Sequence, residues 1–172
     1  MTRAAVRAGI ESYLLTGNLP FVGTIFPSRD YINETDYEQN ANYYYTESIN
    51  GSGCVIVINL PTDKRNRMTI TGRGHVDDVD RNSVVLELFF ASTAGEPQPA
   101  QADYDSIVDA LIPLIRADPT FGDPSVFWST GEFDAGVRHD QSDPFSDPEG
   151  ATVHINGVVR FEALEWLAGT DI

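Results

Sequence analysis

The stretch from Ser83 to Ala91 constrains the fold more than any other part of the chain, because large apolar residues recur through all of it. Successive side chains of a strand point to opposite faces. In an extended conformation one face would carry Val84, Leu86, Leu88 and Phe90, and the other would carry Val85, Glu87 and Phe89. A strand that is apolar on both faces is typical of the middle of a sheet. Residues 83–91 therefore predict the central strand.

Further strands are predicted where β-branched and aromatic residues cluster, at Phe21–Phe26, Cys54–Leu60 and Met68–Thr71. The sequence Asn50-Gly51-Ser52-Gly53 predicts a hairpin turn between residues 43–49 and Cys54–Leu60. Residues 61–67 predict the tip of a second hairpin, which joins Cys54–Leu60 to Met68–Thr71. The polar stretch 74–82 predicts a loop.

Two segments have the periodicity of amphipathic helices. The first follows a potential cap at Thr2 and ends at Gly17, with Val6, Ile10, Tyr13 and Leu14 on one side. For the second we expect a cap at Asp103, a linker at residues 95–99 and an end at Asp118-Pro119; its apolar stripe is Tyr104, Ile107, Val108, Leu111 and Ile115. Pro113 would then interrupt the second helix, at a cost of about 3 kcal/mol unless packing compensates.

The last third of the sequence is less regular. Glycine, proline and aspartate predict loops through most of residues 120–150, with a short strand at Val126–Trp128. Asn156-Gly157 predicts a hairpin turn between two strands, and residues 162–167 suit helix and strand equally. Together these elements predict a single α+β domain over residues 1–172, a mostly antiparallel sheet with two main helices packed on it. An acidic loop is expected at residues 28–42.

The charge of the chain argues against a nucleic-acid-binding surface. Eleven Lys and Arg against 26 Asp and Glu give a formal net charge of -15, and such a chain repels phosphates. No signal-like or membrane-spanning apolar run is visible, which predicts a cytoplasmic protein with no membrane partner. The single cysteine, Cys54, lies in an apolar run and is expected to be a buried thiol.

Two polar clusters contain residue types that could ligate a divalent metal ion. One comprises His75, Asp77, Asp78 and Asp80, and the other comprises Asp140, Asp143, Asp147 and Glu149. Neither has the spacing of a known metal motif, and solvated loops explain both clusters more simply. The chain also lacks the usual nucleophile, zincin and phosphate-loop motifs. We therefore expect no catalytic residues, no metal site and no cofactor.

The basic residues are unevenly placed. Lys64, Arg65, Arg67 and Arg73 put four of the eleven cations within ten residues, at and beside the expected hairpin tip. A solvated turn is one explanation, and a docking site for the acidic surface of another copy or partner is the other. Arg3 and Arg7 on the first helix extend this candidate interface. Its aromatic members are Tyr43, Tyr44 and Tyr45, of which at least one is expected to lie outside the core.

The order of elements resembles that of the tail terminator proteins of long-tailed bacteriophages. The resemblance covers roughly residues 1–117 and is one of layout, with no diagnostic motif. It is carried by Arg3-Ala4-Ala5-Val6-Arg7, by the pattern Tyr104-x-x-Ile107-Val108-x-x-Leu111 and by Leu114-Ile115-Arg116. The acidic insertion at 28–42 and the segment beyond Thr120 depart from the family's layout.

The resemblance implies a structural virion protein rather than an enzyme. Such a protein forms a homo-oligomeric ring, usually a hexamer, on the head-proximal end of the tail and stops polymerisation of the major tail tube protein. The ring also contacts the head or neck connector, and genomic DNA passes through its lumen without sequence-specific binding. Three alternatives stay open: another connector or head-completion protein, an acidic intracellular binding protein, and a small metal-dependent enzyme.

Overall fold

The computed structural model describes residues 3–27, 51–61, 63–69, 76–93, 96–118, 126–129, 136–146 and 152–167. It is an α+β fold in one domain, as the sequence predicts. The helices are α1 (Arg3–Thr16) and α2 (Pro97–Ala117). The strands are β1 (Val22–Phe26), β2 (Ser52–Asn59), β3 (Asp63–Thr69), β4 (Val76–Ser92), β5 (Val126–Ser129), β6 (Arg138–Gln141), β7 (Phe145–Ser146) and β8 (Val153–Leu167).

A long antiparallel ladder between β4 and β8 forms the centre of the sheet. It pairs residues 78–92 with residues 153–167 without a break in register. Along the other edge of β4, β2 and β3 follow each other end to end. Along the other edge of β8 lie β5, β6 and β7. β1 pairs with β2 in the parallel sense, outside this antiparallel arrangement.

The predicted central strand is confirmed, but it begins earlier than the alternation of apolar residues suggests. β4 starts at Val76, so Asp77, Asp78 and Asp80 lie on a strand and the predicted loop at 74–82 is wrong from residue 76 onward. Aspartate and asparagine are disfavoured in strands. Here the backbone of β4 is paired with β3 on one side and β8 on the other, and this pairing outweighs the local preference.

The predicted hairpin between β2 and β3 is also wrong, because both strands pair with β4. Asn59 is opposite Val85, whereas Asp63 is opposite Asn82. The segment that joins β2 to β3 contains Pro61, which has no N–H to give to a ladder. The chain therefore continues along the same edge of β4 instead of turning back.

The other expected hairpin, between residues 43–49 and β2, conflicts with the pairing of β2. Between Cys54 and Val57, β2 has β1 on one edge and β4 on the other. A strand has two edges, so no edge is left there for a hairpin partner. Residues 43–49 themselves lie outside the described residues.

Helix α1 has the predicted extent, and its apolar stripe faces the sheet. Val6, Ile10 and Leu14 are buried, and Tyr13 packs half-buried at the margin of the same core. The Tyr13 hydroxyl donates a hydrogen bond to the backbone carbonyl of Leu114 in α2, at 3.0 Å. The two helices thus lie side by side on one face of the sheet.

Helix α2 begins six residues before the predicted cap, so the expected linker at 95–99 and the cap at Asp103 are corrected. Its N-cap is Glu96, and Pro97 occupies the first turn, where the missing N–H of proline costs nothing. The helix continues through Pro113 to Ala117, before Asp118 as expected. Ile107, Leu111 and Ile115 are fully buried around the proline, and burial of side chains of this size, about 1.5–3 kcal/mol each, offsets its cost.

The predicted turn at Asn156-Gly157 is wrong, because β8 runs straight through it. Gly157 lies opposite Leu88 in the ladder, directly beneath the ring of Tyr104 from α2. A Cβ at position 157 would overlap the Tyr104 hydroxyl and lie 2.9 Å from Cζ. Glycine is needed here for close approach of the helix, which is a recognised use of glycine within strands. The strand expected at Val126–Trp128 is confirmed as β5, and residues 162–167 are strand.

The main core lies between the helices and one face of the sheet. The strands supply alternate residues to it, for example Ile56, Leu88 and Val159, and all three are fully buried. Cys54 belongs to this core, as predicted. A second, smaller apolar cluster lies on the opposite face and contains Val55 and Val57.

Replacing Gly157 with alanine should destabilise the protein by about 1–3 kcal/mol, because the added methyl forces Tyr104 and α2 away from the sheet. Denaturant unfolding measures this loss. Gly9→Ala is the matched control, since a Cβ at position 9 of α1 meets nothing within 4 Å, and alanine there should be neutral or stabilising. Equal effects of the two substitutions would contradict the close approach at Gly157.

Candidate interaction surface

The cations that the sequence singles out lie along a strand rather than at a hairpin tip. Lys64, Arg65 and Arg67 are all within β3, so the predicted tip is corrected. β3 pairs with β4 rather than with β2. Arg73, the fourth member of the cluster, lies outside the described residues.

The register gives two of these cations an acidic counterpart. Arg65 is directly opposite Asp80, and Arg67 is directly opposite Asp78. Lys64 is opposite Arg81, a like charge. Directly opposed residues of opposite charge stabilise an antiparallel pair by about 0.2–1 kcal/mol, and like charges destabilise it. Asp78 and Asp80, two acidic residues of the first metal hypothesis, are therefore the cross-strand neighbours of Arg67 and Arg65.

Strand β3 lies at the margin of the described sheet. Within the described ranges it pairs with β4 alone. Such an edge presents backbone N–H and C=O groups to a potential partner, and charged residues on it restrict which partners can pair there. β3 is a candidate contact surface because it lies at the edge of the described sheet, and not because it belongs to an exposed loop.

The other two predicted cations lie on helix α1. Arg3 is exposed and Arg7 is half-buried. Leu15, at the end of the same helix, is 59% exposed and is one of the large apolar residues of the described chain that face solvent. Tyr43, Tyr44 and Tyr45, the aromatic part of the predicted interface, lie outside the described residues. The structure thus brings Lys64, Arg65 and Arg67 together and leaves Arg3 and Arg7 on a separate element.

A buried polar cluster that sequence reasoning missed joins α2 to the sheet. Ser52 and Ser92 are directly opposed on β2 and β4, both are buried, and their hydroxyl oxygens are 3.0 Å apart. The Ser52 hydroxyl donates a hydrogen bond to Oδ2 of Asp103 at 2.7 Å. The carboxylate of Asp103, expected to cap the helix, instead satisfies a buried serine, and this anchors the first half of α2.

A second missed pair involves the next residue of α2. Tyr104 is fully buried, packs edge-on against Phe90, and its hydroxyl is 2.9 Å from Nε2 of His139 on β6. Burial raises the pKa of the Tyr104 phenol, and nearby Cys54 and Asp105 add to the effect. Burial lowers the pKa of His139, against the opposing influence of Asp140 and Asp105. A neutral phenol and a neutral imidazole therefore share this hydrogen bond near neutral pH.

The chemistry that these groups support is hydrogen bonding rather than nucleophilic attack. Burial raises the pKa of the Cys54 thiol, which keeps it protonated at neutral pH. Asp140, from the second metal hypothesis, forms an exposed ion pair with Arg160 at 2.6 Å. Among the residues that the structure describes, no group of three or more His, Cys, Asp or Glu side chains is placed to hold a metal ion. Asp147 and Glu149 are not among those residues.

One sequence signal, the glycine at position 157, points to the Tyr104 pair. A glycine inside a segment of β-branched residues marks either a turn or a close backbone approach. The flanking Asn156 favoured the turn. Nothing in the sequence indicates that Tyr104 lies over Gly157, since the two residues are brought together by the packing of α2 on β8.

A scan against protein-family models matches none of them, and a search of curated proteins finds no similar sequence. Neither helix in the described part of the chain is long and apolar enough to cross a membrane.

The opposed charges on β3 and β4 predict a measurable coupling. Arg67→Asp and Asp78→Arg should each lower stability, because each places two like charges opposite one another. The double variant restores an opposite pair in reverse orientation and should recover about 0.2–1 kcal/mol of the summed loss. Thermal or denaturant unfolding of the four proteins measures the coupling. Strict additivity would show that the two positions do not interact.

The shifted pKa of His139 predicts a dependence of stability on pH. Because its pKa in the folded chain is below the ordinary value of 6.5, its contribution to stability is complete above pH 6.5 and is lost as pH falls through the lower value. His139→Gln keeps a hydrogen-bonding group beside Tyr104 and cannot titrate. The stability difference between wild type and variant, followed by unfolding from pH 8 to pH 5, should shift against the wild type on acidification. A constant difference would contradict the lowered pKa.

Proposed function

We propose that this protein is a structural subunit of a bacteriophage tail, of the tail terminator type, and that it acts by forming a ring on the head-proximal end of the tail tube. The observation that carries the proposal is the basic edge strand. In a chain of net charge -15, Lys64, Arg65 and Arg67 are gathered on β3, which pairs along one edge only in the described sheet. A charged edge of this kind favours a specific acidic neighbour over indiscriminate strand pairing.

The α+β architecture supports the same proposal. The order of α1, a short strand, further strands and then α2 is the layout on which the resemblance to tail terminators rests. The described helices pack on one face of the sheet. A neighbouring subunit that bound at an edge of the sheet would therefore leave the main core intact. A ring built this way repeats one contact, in which the basic edge of each subunit meets an acidic surface of the next.

The proposed partners are a second copy of the chain, the major tail tube protein and a head or neck connector, with DNA passing through the lumen. A hexamer is the stoichiometry that the resemblance implies. The net acidity of the subunit suits a channel for DNA, because a lumen that bound phosphates tightly would oppose their movement. No catalytic residue, metal or cofactor is part of this proposal.

Antibody labelling of intact particles tests the location directly. An antibody against this chain should mark one end of the phage tail in electron micrographs, the end beside the head. Particles that carry the chain on the capsid alone would favour a head-completion protein. Particles without it would favour an intracellular binding protein or an enzyme. Either of these results would overturn the proposal.

Charge reversal tests whether the basic edge is the contact. Arg65→Asp combined with Arg67→Asp should lower the yield of intact particles by about ten-fold or more, which corresponds to a loss of roughly 1.4 kcal/mol in assembly. The control adds Asp78→Arg and Asp80→Arg, which restores opposite charges across the strands while the edge strand itself stays acidic. If the control recovers stability but not particle yield, the edge is a docking surface. Recovery of both would show that the cations serve the sheet alone.

A further inference from the structure

The described sheet has two opposite margins, and at each of them a strand pairs on one side only. β3 pairs with β4 alone and β6 pairs with β8 alone, while β4 and β8 lie between them. Both margins therefore present backbone N–H and C=O groups that can continue a ladder. On β6 the exposed residues are Arg138, Asp140 and Gln141, and the Asp140 side chain is 73% exposed.

The strand directions allow the two margins to pair with each other. β3 and β8 both run antiparallel to β4, and β6 runs antiparallel to β8. β3 and β6 therefore run in opposite directions. When a second copy lies beside the first in the same orientation, its β6 is an antiparallel neighbour of β3, which is the commoner kind of strand pair. Each copy then uses one margin toward each neighbour, and such a head-to-tail contact forms a ring when it closes.

Strand β1 lies on the same margin as β3 but at a different position along the sheet. We describe residues as level when they are directly opposite across successive ladders. Phe26, the last residue of β1, is level with Val57, Glu87 and Val158. β1 thus holds the outer edge of β2 as far as the level of Val158, and the edge of β3 lies beyond this level.

The outer strands of a neighbouring copy have to avoid β1. β6 pairs with residues 157–160 of β8, and β7 pairs with residues 153–154. A copy placed beside the first without displacement would bring these strands to the edge of β2 that β1 already holds. The smallest displacement along the strands that moves β7 past β1 is six residues, because it carries level 153 to level 159, one beyond Val158.

The same displacement brings β6 opposite β3. Asp63 pairs with Asn82 and is therefore level with position 163 of β8. Gln141 pairs with Gly157 in its own sheet, and a displacement of six residues carries it to level 163. The four directly opposed pairs in this register are Asp63 with Gln141, Lys64 with Asp140, Arg65 with His139, and Asn66 with Arg138.

This register suits the charges of both edges. Within its own sheet Lys64 is opposite a like charge, Arg81, and Asp140 of the neighbour would give it an acidic counterpart. Arg65 would lie opposite His139. Burial lowers the pKa of His139, so the imidazole is neutral near neutral pH and the four pairs contain no opposed like charges.

The faces of the sheet exclude a displacement of seven residues. Side chains alternate between the two faces, so an even displacement keeps the helices of both copies on the same face of the joined sheet, whereas an odd one does not. A displacement of eight residues would place Asp140 opposite Asn66 and would lose the charge pair. Six residues therefore satisfies the position of β1, the two faces and the charges together.

We propose that β3 of one subunit pairs with β6 of the next, with Lys64 opposite Asp140, so that the sheets of neighbouring copies join edge to edge. The partner is a second copy of this chain, and the acidic counterpart of the basic edge lies on the opposite margin of the same sheet. The inference rests on the proposed function, in which the subunits form a ring, and it names the surfaces that meet.

The displacement also suits closure of a ring. Six residues along a strand span about 20 Å, and the four strands β3, β4, β8 and β6 span about 19 Å across the sheet. The strands would therefore tilt by about 45° from the ring axis. A sheet that closes on itself requires a stagger between strands and a tilt of about this size.

Paired charge reversal tests the contact. Lys64→Asp and Asp140→Lys should each lower the yield of intact particles by about ten-fold, because each opposes like charges at every contact of the ring. The two variants produced together should recover the yield, since each acidic edge then meets a basic one in an alternating ring. Asp143→Lys is the matched control. It reverses another exposed carboxylate, outside β6, and should neither lower the yield nor rescue Lys64→Asp.

Disulfide formation tests the register without relying on charge. Lys64→Cys combined with Asp140→Cys in one chain should give covalent oligomers under oxidation, in purified particles and in the concentrated purified chain. The yield should be at least about ten-fold above that of Arg65→Cys with Asp140→Cys, whose Cβ atoms would point to opposite faces. Wild type, whose Cys54 is buried, gives the background.

The contact and the proposed function fail in different ways. Equal cross-linking of the two cysteine pairs would overturn the contact, as would single charge variants that lower the yield but do not complement each other. Antibody labelling at the head-proximal end would still support the proposed function in that case. Selective cross-linking between positions 64 and 140 of the purified chain, with no chain found in particles, would support the contact and overturn the proposed function.

Discussion

The ladder between β4 and β8 is the constraint on which the other described elements depend. Its fifteen consecutive pairs create two long edges and two faces, and each remaining described strand except β1, which pairs with β2, occupies a part of one edge. β2 with β3 takes one, and β5, β6 and β7 share the other. Because each of these strands is short, none would hold its register alone. The ladder supplies the register to which β2 and β3 are paired along β4.

The helices are positioned on this sheet by a few polar contacts within an apolar interface. Asp103 accepts a hydrogen bond from Ser52, and Tyr104 meets His139 over Gly157. Apolar packing alone tolerates small shifts of a helix along its groove, whereas a buried hydroxyl that loses its partner costs about 1–3 kcal/mol. These contacts on successive residues of α2 therefore define its depth and rotation, which explains why a glycine is needed within β8.

The same architecture limits which surfaces are available for contact with other subunits. The helix-bearing face is occupied by the main core. Within the described sheet, the edge strand β3 pairs on one side only and carries positive charge in an acidic chain. Two cations of this edge, Arg65 and Arg67, also lie opposite Asp80 and Asp78 of β4. If another subunit bound at this edge, the β3 arginines would exchange the aspartates of β4 for acidic residues of that subunit. The contact would then depend on how the charges of the two subunits are aligned.

The sequence by itself determined the elements whose local pattern and tertiary environment agree. The α+β class, α1, the apolar half of β4, the buried stripe of α2 and the buried thiol all followed from periodicity and burial preference. Tertiary structure decided the rest. Asp78 and Asp80 are strand residues because both edges of their backbone are paired, the chain continues along β4 beyond Pro61, and Asn156-Gly157 is extended with Tyr104 packed on it. In each of these places hydrogen bonds and contacts from residues distant in sequence outweigh local preferences of about 1 kcal/mol. The basic cluster was found from sequence, but its place on an edge strand depended on pairing that no local pattern encodes.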